Sequence, residues 1–265
     1  MTRDHDLKRA IRKRMKATGE RYTVARAAVV APDPPAPSSG TSRSRGGTMA
    51  IALTDLLGEL DEQGYAILRA CITGDELAHL VALGDDVLTT RLAANQAEED
   101  RRRAEGETGW VNVWHPGPPG VVSQLVTDRP EIAWIRNHEG LLEIESQATG
   151  APATFRNVGV GFSLPGYGHQ GFHADNGQPS QPIGEWTGLS FVITLTAPEK
   201  DSGGMRVIPG SHRTRPQPCE GWAMATHPDE VRTVTQPGDV LIHCSSLWKS
   251  NTFNGGTRPR GHVWV

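Results

Sequence analysis

Gly171-Phe172-His173-Ala174-Asp175 places an imidazole and a carboxylate two residues apart. On extended backbone, residues i and i+2 point to the same side. A strand or strand end here can aim both groups at one point. A His and a carboxylate on one face are two members of the two-His-one-carboxylate set that holds iron(II) in non-haem oxygenases. The pair alone is weak, because a hydrogen-bonded loop histidine two residues from an Asp arises by chance. It needs elements to position it and a third ligand.

Those elements divide the chain. Residues 49–149 read as mostly helical, with helices expected at Leu53–Leu60, from Thr73 to about Asn95, and over 128–137 and 139–149. Thr73 or Asp75 caps the long helix, with acidic residues in its first turn. Gly150 ends the last one. Between them, 64–69 and the alternating Trp110-Val-Asn-Val-Trp114 read as strands, His115–Gly120 as a turn, and the charged stretch 96–108 as a mobile loop. From 153 onward short strands dominate: 154–164, 186–195, 205–208, 230–235, 239–245 and 260–265, separated by Gly- and Pro-containing turns. Helices first and then a run of short strands imply a β-dominated α+β protein, a sandwich or jelly roll.

Ahead of this domain, residues 1–48 carry eleven Lys or Arg against four Asp or Glu, so the remaining chain holds about -10 of the net -3. A body of that sign is a poor general nucleic-acid binder. Residues 5–17 and 22–30 have helical patterning in a basic surround, and 32–47, rich in Pro, Ser and Gly, reads as a disordered linker. No apolar run reaches the roughly 18 residues that span a membrane, and the basic N-terminus has no apolar signal core. Three widely spaced cysteines, Cys71, Cys219 and Cys244, suit a reducing compartment. A cytoplasmic protein with no membrane or nucleic-acid partner is expected; oligomeric state is not legible.

Over residues 51–265 the chain resembles the phytanoyl-CoA dioxygenase-like family of Fe(II)/2-oxoglutarate oxygenases. Leu60-Asp-Glu-Gln-Gly-Tyr-Ala-Ile-Leu-Arg69 looks like that family's entry helix and strand. His173-Ala-Asp175 matches its proximal metal pair. Thr194 to His212, with its acidic Gly turn and terminal Pro-Gly-Ser-His, is the most specific segment, and Pro237–Ile242 matches the strand that leads to the distal His. Asn254 and Arg258-Pro-Arg260 match the motif before the last strand, where the family's Arg binds 2-oxoglutarate. The resemblance implies a double-stranded β-helix, a cupin-like jelly roll with flanking N-terminal helices. It further implies Fe(II), 2-oxoglutarate and O2 as cofactor and co-substrates, a small organic molecule as substrate, and Arg260 on the co-substrate carboxylate.

One position departs. The family's distal His lies eleven residues before the co-substrate Arg, and here that position is Lys249, in Leu247-Trp-Lys-Ser250. A Lys ligates only when deprotonated, which costs roughly 4–5 kcal/mol from its ordinary pKa at neutral pH. Three readings stand open. His243, on the same predicted strand, or His262, on the last, supplies the third ligand, with His243 the better placed. Alternatively His173, Asp175 and a co-substrate carboxylate make a weak, open site. Or Lys249 pairs with Asp175 in place of iron, leaving a carboxylate-binding protein or an enzyme without redox chemistry. His169 and Gln170 line the pocket mouth or are plain loop residues, His212 is structural, and Cys244 is core. Gly159-Val-Gly-Phe-Ser-Leu-Pro-Gly166 sits on a predicted strand without a following helix and fails as a dinucleotide fingerprint.

Overall fold

The alternating apolar segments of the second half pair as antiparallel strands. The computed structural model describes Lys13 and residues 46–106, 121–153, 157–176, 179–214 and 226–265. The chain divides into two units, 1–45 and 46–265, and the described strands all belong to the second. Apart from Lys13, the expected helices at 5–17 and 22–30, the strand Trp110–Trp114, the turn 115–120 and Cys219 lie outside the described residues.

Nine strands are found among the described residues: β1 (Tyr65–Leu68), β2 (Val121–Leu125), β3 (Gly159–Ser163), β4 (Leu189–Thr194), β5 (Met205–Val207), β6 (Val231–Arg232), β7 (Val240–Cys244), β8 (Lys249–Asn251) and β9 (Arg260–Trp264). They form a six-stranded sheet in the order β1-β7-β4-β9-β3-β2 and a three-stranded sheet in the order β6-β5-β8. Every pairing is antiparallel. Two antiparallel sheets whose neighbours are distant in sequence have the pattern of a jelly roll, as expected. Strands β2 and β8 are additions to the reading from sequence, and the one strand expected to carry both His243 and Lys249 is two, β7 and β8, in different sheets because a turn at 245–248 separates them.

The helices α1 (Gly46–Gln63), α2 (Gly74–Ala104), α3 (Ala133–Arg136) and α4 (Glu139–Thr149) come mostly before the strands, and a 3-10 turn at Pro130–Ile132 leads into α3. His138 caps α4 by accepting the Leu141 N–H on Nδ1 at 3.3 Å, and Gly150 closes it at φ +68°. Two expectations change. Helix α1 starts at Gly46, within the stretch read as linker. Helix α2 does not stop near Asn95 but runs through most of the expected loop to Ala104. The charges there have helical spacing: Glu98 pairs with Arg101 and Arg102, and Arg101 with Glu105. Such exposed pairs support a helix only modestly, and Arg101, Arg102 and Arg103 in the last turn favour the negative end of the helix dipole.

Leu60, Ile72, Leu80, Phe191, Ile193, Ile242 and Val263 are fully buried at the centre of one core. Phe191 and Ile193 come from one face of β4; the other face carries Ser190 and Val192. That split gives the six-stranded sheet an apolar side against the core and a second side free to line a cavity. The entry to β7 is held by Asp239, which accepts from the backbone N–H of Ala70 and of Gln236 and from Arg69 Nη1. Burial pushes the Asp239 carboxyl up, but these donors outweigh it and hold it below its ordinary range.

Candidate functional site

His173 belongs to no named strand, yet its backbone is paired as in one. It forms an isolated antiparallel bridge with Lys249, exchanging both N–H···O bonds at 2.9 Å. Directly opposed residues of an antiparallel pair project their side chains to the same face. The segment 170–175 therefore extends the small sheet beyond β8, and the bridge sets the Lys249 side chain beside the His173 imidazole. Gln170 N–H donating to Asn251 O at 3.0 Å and Ser250 Oγ donating to Gln170 O continue the edge.

Lys249 Nζ donates to Asp175 Oδ1 at 2.6 Å and stands 3.4 Å from His173 Nε2, while Oδ1 and Nε2 are 4.0 Å apart. These three distances subtend roughly 80° at Nζ, close to the right angle between neighbouring ligands of an octahedral metal. The Lys249 side chain is 8% exposed, against 44% for Asp175 and 42% for His173. Burial raises the Asp175 pKa, but the charge and hydrogen bond of Lys249, with smaller help from His243 and His173, bring it below the ordinary value.

These residues open on a cavity of about 500 Å³ between the two sheets. The small-sheet wall adds Gln170, Met205 and Asn251; the large-sheet wall supplies Ser190 and Val192 from β4, His243 from β7, and His262 and Trp264 from β9. Room for the last two comes from β3. Register sets Gly159 opposite Trp264 and Gly161 opposite His262, and a Cβ on Gly161 would lie 2.9 Å from His262 Nε2. The glycine-rich stretch that fails as a nucleotide fingerprint is thus a strand cleared for two cavity side chains.

Both imidazoles of this wall are neutral. Burial, reinforced by the Lys249 charge, lowers His243 to about 3, and burial with Arg260 nearby lowers His262 to about 4. His243 Nδ1 lies 3.2 Å from Cys244 O and His173 Nδ1 lies 3.0 Å from Gly171 O. A carbonyl only accepts, so each Nδ1 carries a proton, and Nε2 is the ring atom aimed into the cavity that can offer a lone pair to a metal.

The residues singled out from sequence do not all converge. His173, Asp175, Lys249, His243, His262 and Gln170 share the cavity, but among the described residues no three His, Cys, Asp or Glu side chains gather into a metal-holding group. Arg260 lies on the same face of β9 as His262 and Trp264 but lines a neighbouring cavity of about 220 Å³ with Glu199, Ser202 and Arg258. Its Nη1 donates to Ser202 O at 2.6 Å, and its Nη2 to Thr252 O at 3.1 Å and Ser163 Oγ at 3.3 Å. Burial, with Arg232 nearby, lowers its pKa to about 10. His212 is fully buried, 3.2 Å from Asp61 O and edge-on to Trp186, a structural role as read from sequence. Cys244 is buried and His169 is not part of the cavity lining. Ser190, Asn251 and Trp264 escaped the sequence reading. The first is the polar face of a strand whose other face is apolar, and the second follows Lys249 by two, so period-2 alternation carries both.

Does this site fit the metal that such a fold implies? The His173–Asp175 pair does fit a cation: the two atoms face one point, and an ammonium already stands there as a substitute. The point that the two atoms face is the one this ammonium holds, so a metal fits once Nζ has moved away.

A family model described as phytanoyl-CoA dioxygenase (PhyH) matches residues 60–260. The dioxygenase andF of Emericella variicolor is 36% identical over 72 residues, 27% of this chain and 24% of that protein, so the chain matches about a quarter of that curated relative's length. Several solved structures share the fold. The non-haem α-ketoglutarate-dependent epimerase SnoN from nogalamycin biosynthesis aligns over 82% of this chain and 84% of its own at TM-score 0.57 and 17% identity. HygX of Streptomyces hygroscopicus, with nickel and 2-oxoglutarate bound, aligns over 79% and 84% at 0.58 and 13% identity. EctD of S. alaskensis aligns over 79% and 74% at 0.57 and 17% identity. At identities this low the likeness shows the fold alone, the double-stranded β-helix.

Proposed function

The chain belongs to the phytanoyl-CoA dioxygenase family, and from that premise we propose that it is a non-haem Fe(II)/2-oxoglutarate-dependent dioxygenase that oxidises, most simply by hydroxylation, a small organic molecule. The observation that carries this reading is the convergence of His173 Nε2 and Asp175 Oδ1 on one cation position inside the 500 Å³ cavity. Bound there, iron(II) would supply O2 activation coupled to oxidative decarboxylation of 2-oxoglutarate to succinate and CO2.

The chain's own residues do the rest. His173, its Nδ1 proton held by Gly171 O, and Asp175 hold the metal, and His243 from the facing wall is the proposed third ligand. Arg260 is the proposed partner of the co-substrate's far carboxylate. Binding there exchanges one of its bonds to Ser202 O, Thr252 O or Ser163 Oγ for a charge-assisted one, which is stronger. The neutral imidazole of His262 and the Trp264 ring form the floor and keep the large-sheet wall free of charge. The cavity volume suits a small-molecule substrate.

One contact favours a second reading. An ammonium paired with Asp175 at 2.6 Å suits a family member that binds a carboxylate through Lys249 without redox chemistry. Incubation with Fe(II), O2 and 2-oxoglutarate separates the two. The dioxygenase forms succinate, coupled or uncoupled to a substrate. Absence of succinate with a folded, metal-supplied protein leaves the second reading.

A further inference from the structure

Lys249 occupies the position that a metal would need, and the geometry says more than that a ligand is missing. We propose that Lys249 is a tethered cation that competes with the metal for His173 and Asp175, and that a carboxylate ligand in the cavity draws it off. Metal and anion would then load together. This rests on the metal reading of the same site and concerns how that site fills.

Three observations lead there. First, Nζ touches both proximal groups at once, 2.6 Å from Asp175 Oδ1 and 3.4 Å from His173 Nε2. An ammonium and a divalent ion cannot share that point, since like charges repel strongly at such separations in a partly buried site. Secondly, the tether is short and its root fixed. Lys249 is held by two backbone hydrogen bonds to His173 itself, so only the four-carbon side chain can move. Thirdly, the cavity gives the ammonium somewhere to go. Asn251, two residues along the same strand, and Gln170, whose Oε1 accepts from Asn251 Nδ2 at 3.1 Å, line the cavity next to it. Amide oxygens alone are a poor exchange for a carboxylate. A ligand carboxylate among them is an equal one.

Two consequences follow by linkage. The native chain binds metal weakly alone and more tightly when an anion is present, and the anion's affinity rises by the same factor when metal is present. Without the ammonium, metal binds tightly at once and the anion no longer helps.

The experiment is calorimetric titration of Mn(II) into the full-length native chain and into Lys249→Met and Lys249→Ala, each with and without succinate. Succinate is chosen because it lacks the 2-oxo group and cannot form the co-substrate's chelate. Expected is at least a tenfold tighter Mn(II) affinity in both variants than in the native chain. Succinate should tighten Mn(II) binding severalfold in the native chain and leave the variants unchanged. The native-chain arm needs no substitution, so a variant that folds poorly does not remove the test. Equal Mn(II) affinity in native and variant chains overturns the competition while leaving the metal site standing. Failure of every chain to bind Mn(II), with or without succinate, overturns both the competition and the metal reading.

Discussion

The two walls of the cavity are built on opposite electrostatic terms. The large-sheet wall presents two imidazoles that burial keeps neutral, His243 and His262, beside Trp264 and Val192. The small-sheet wall presents an ion pair, Lys249 with Asp175, and a half-exposed His173. The first wall follows from strands whose opposite face is core. The second exists because two residues 76 positions apart are cross-strand neighbours. Burial thus makes one wall neutral, and register makes the other the charged edge.

The largest expected effect tests the support of the neutral wall. Phe191→Ala, on the core face of β4, should cost about 3–5 kcal/mol in urea denaturation. A loss below about 1 kcal/mol would mean that this sheet is not backed by the core. Acid should then act on the same wall. His243 and His262 have folded values below the ordinary 6.5, so the unfolded chain takes up protons first as pH falls. The stability they hold is whole above about pH 6.5 and is lost on the way down toward 4 and 3, at up to about 1.4 kcal/mol per pH unit for each. His262→Gln should reduce the slope between pH 6.5 and 5; an unchanged slope would take His262 out of the account.

On the charged wall the two halves of the ion pair should behave unequally. Asp175→Asn leaves an 8% exposed ammonium without its carboxylate and should cost about 1–3 kcal/mol, less than a fully buried pair because water reaches the site. Lys249→Met leaves a carboxylate that is 44% exposed and can be solvated. It should change stability by less than about 1 kcal/mol. Thermal unfolding of both variants checks the asymmetry, and a larger loss from Lys249→Met would reverse the assignment of which partner the fold protects.

The sequence shows the core face of the neutral wall, but not the Ser190 and Trp264 of its cavity face, and it shows only half of the charged wall. The apolar face of β4 and the period-2 aim of His173 and Asp175 are local facts that spacing reports. Lys249 could be placed by counting back from Arg260, but its contact with both proximal groups depends on the His173 bridge, which no local pattern reveals. Arg260 shows the same limit from the other side. Its place on β9 was legible; its bonds to Ser202 O and Thr252 O are not, because they come from turns remote in sequence. The end of helix α2 is hidden because the run from Glu98 to Glu105 reads as a solvated loop by composition. Its i,i+3 and i,i+4 pairing was the better signal.

On the metal reading, the point now held by Lys249 Nζ is the metal's point. Crystals of Lys249→Met soaked in Mn(II) test it directly through the anomalous difference map. One peak is expected, bonded to both His173 Nε2 and Asp175 Oδ1, in the place of the missing ammonium. A peak elsewhere in the cavity, or none there under saturating Mn(II), would contradict it.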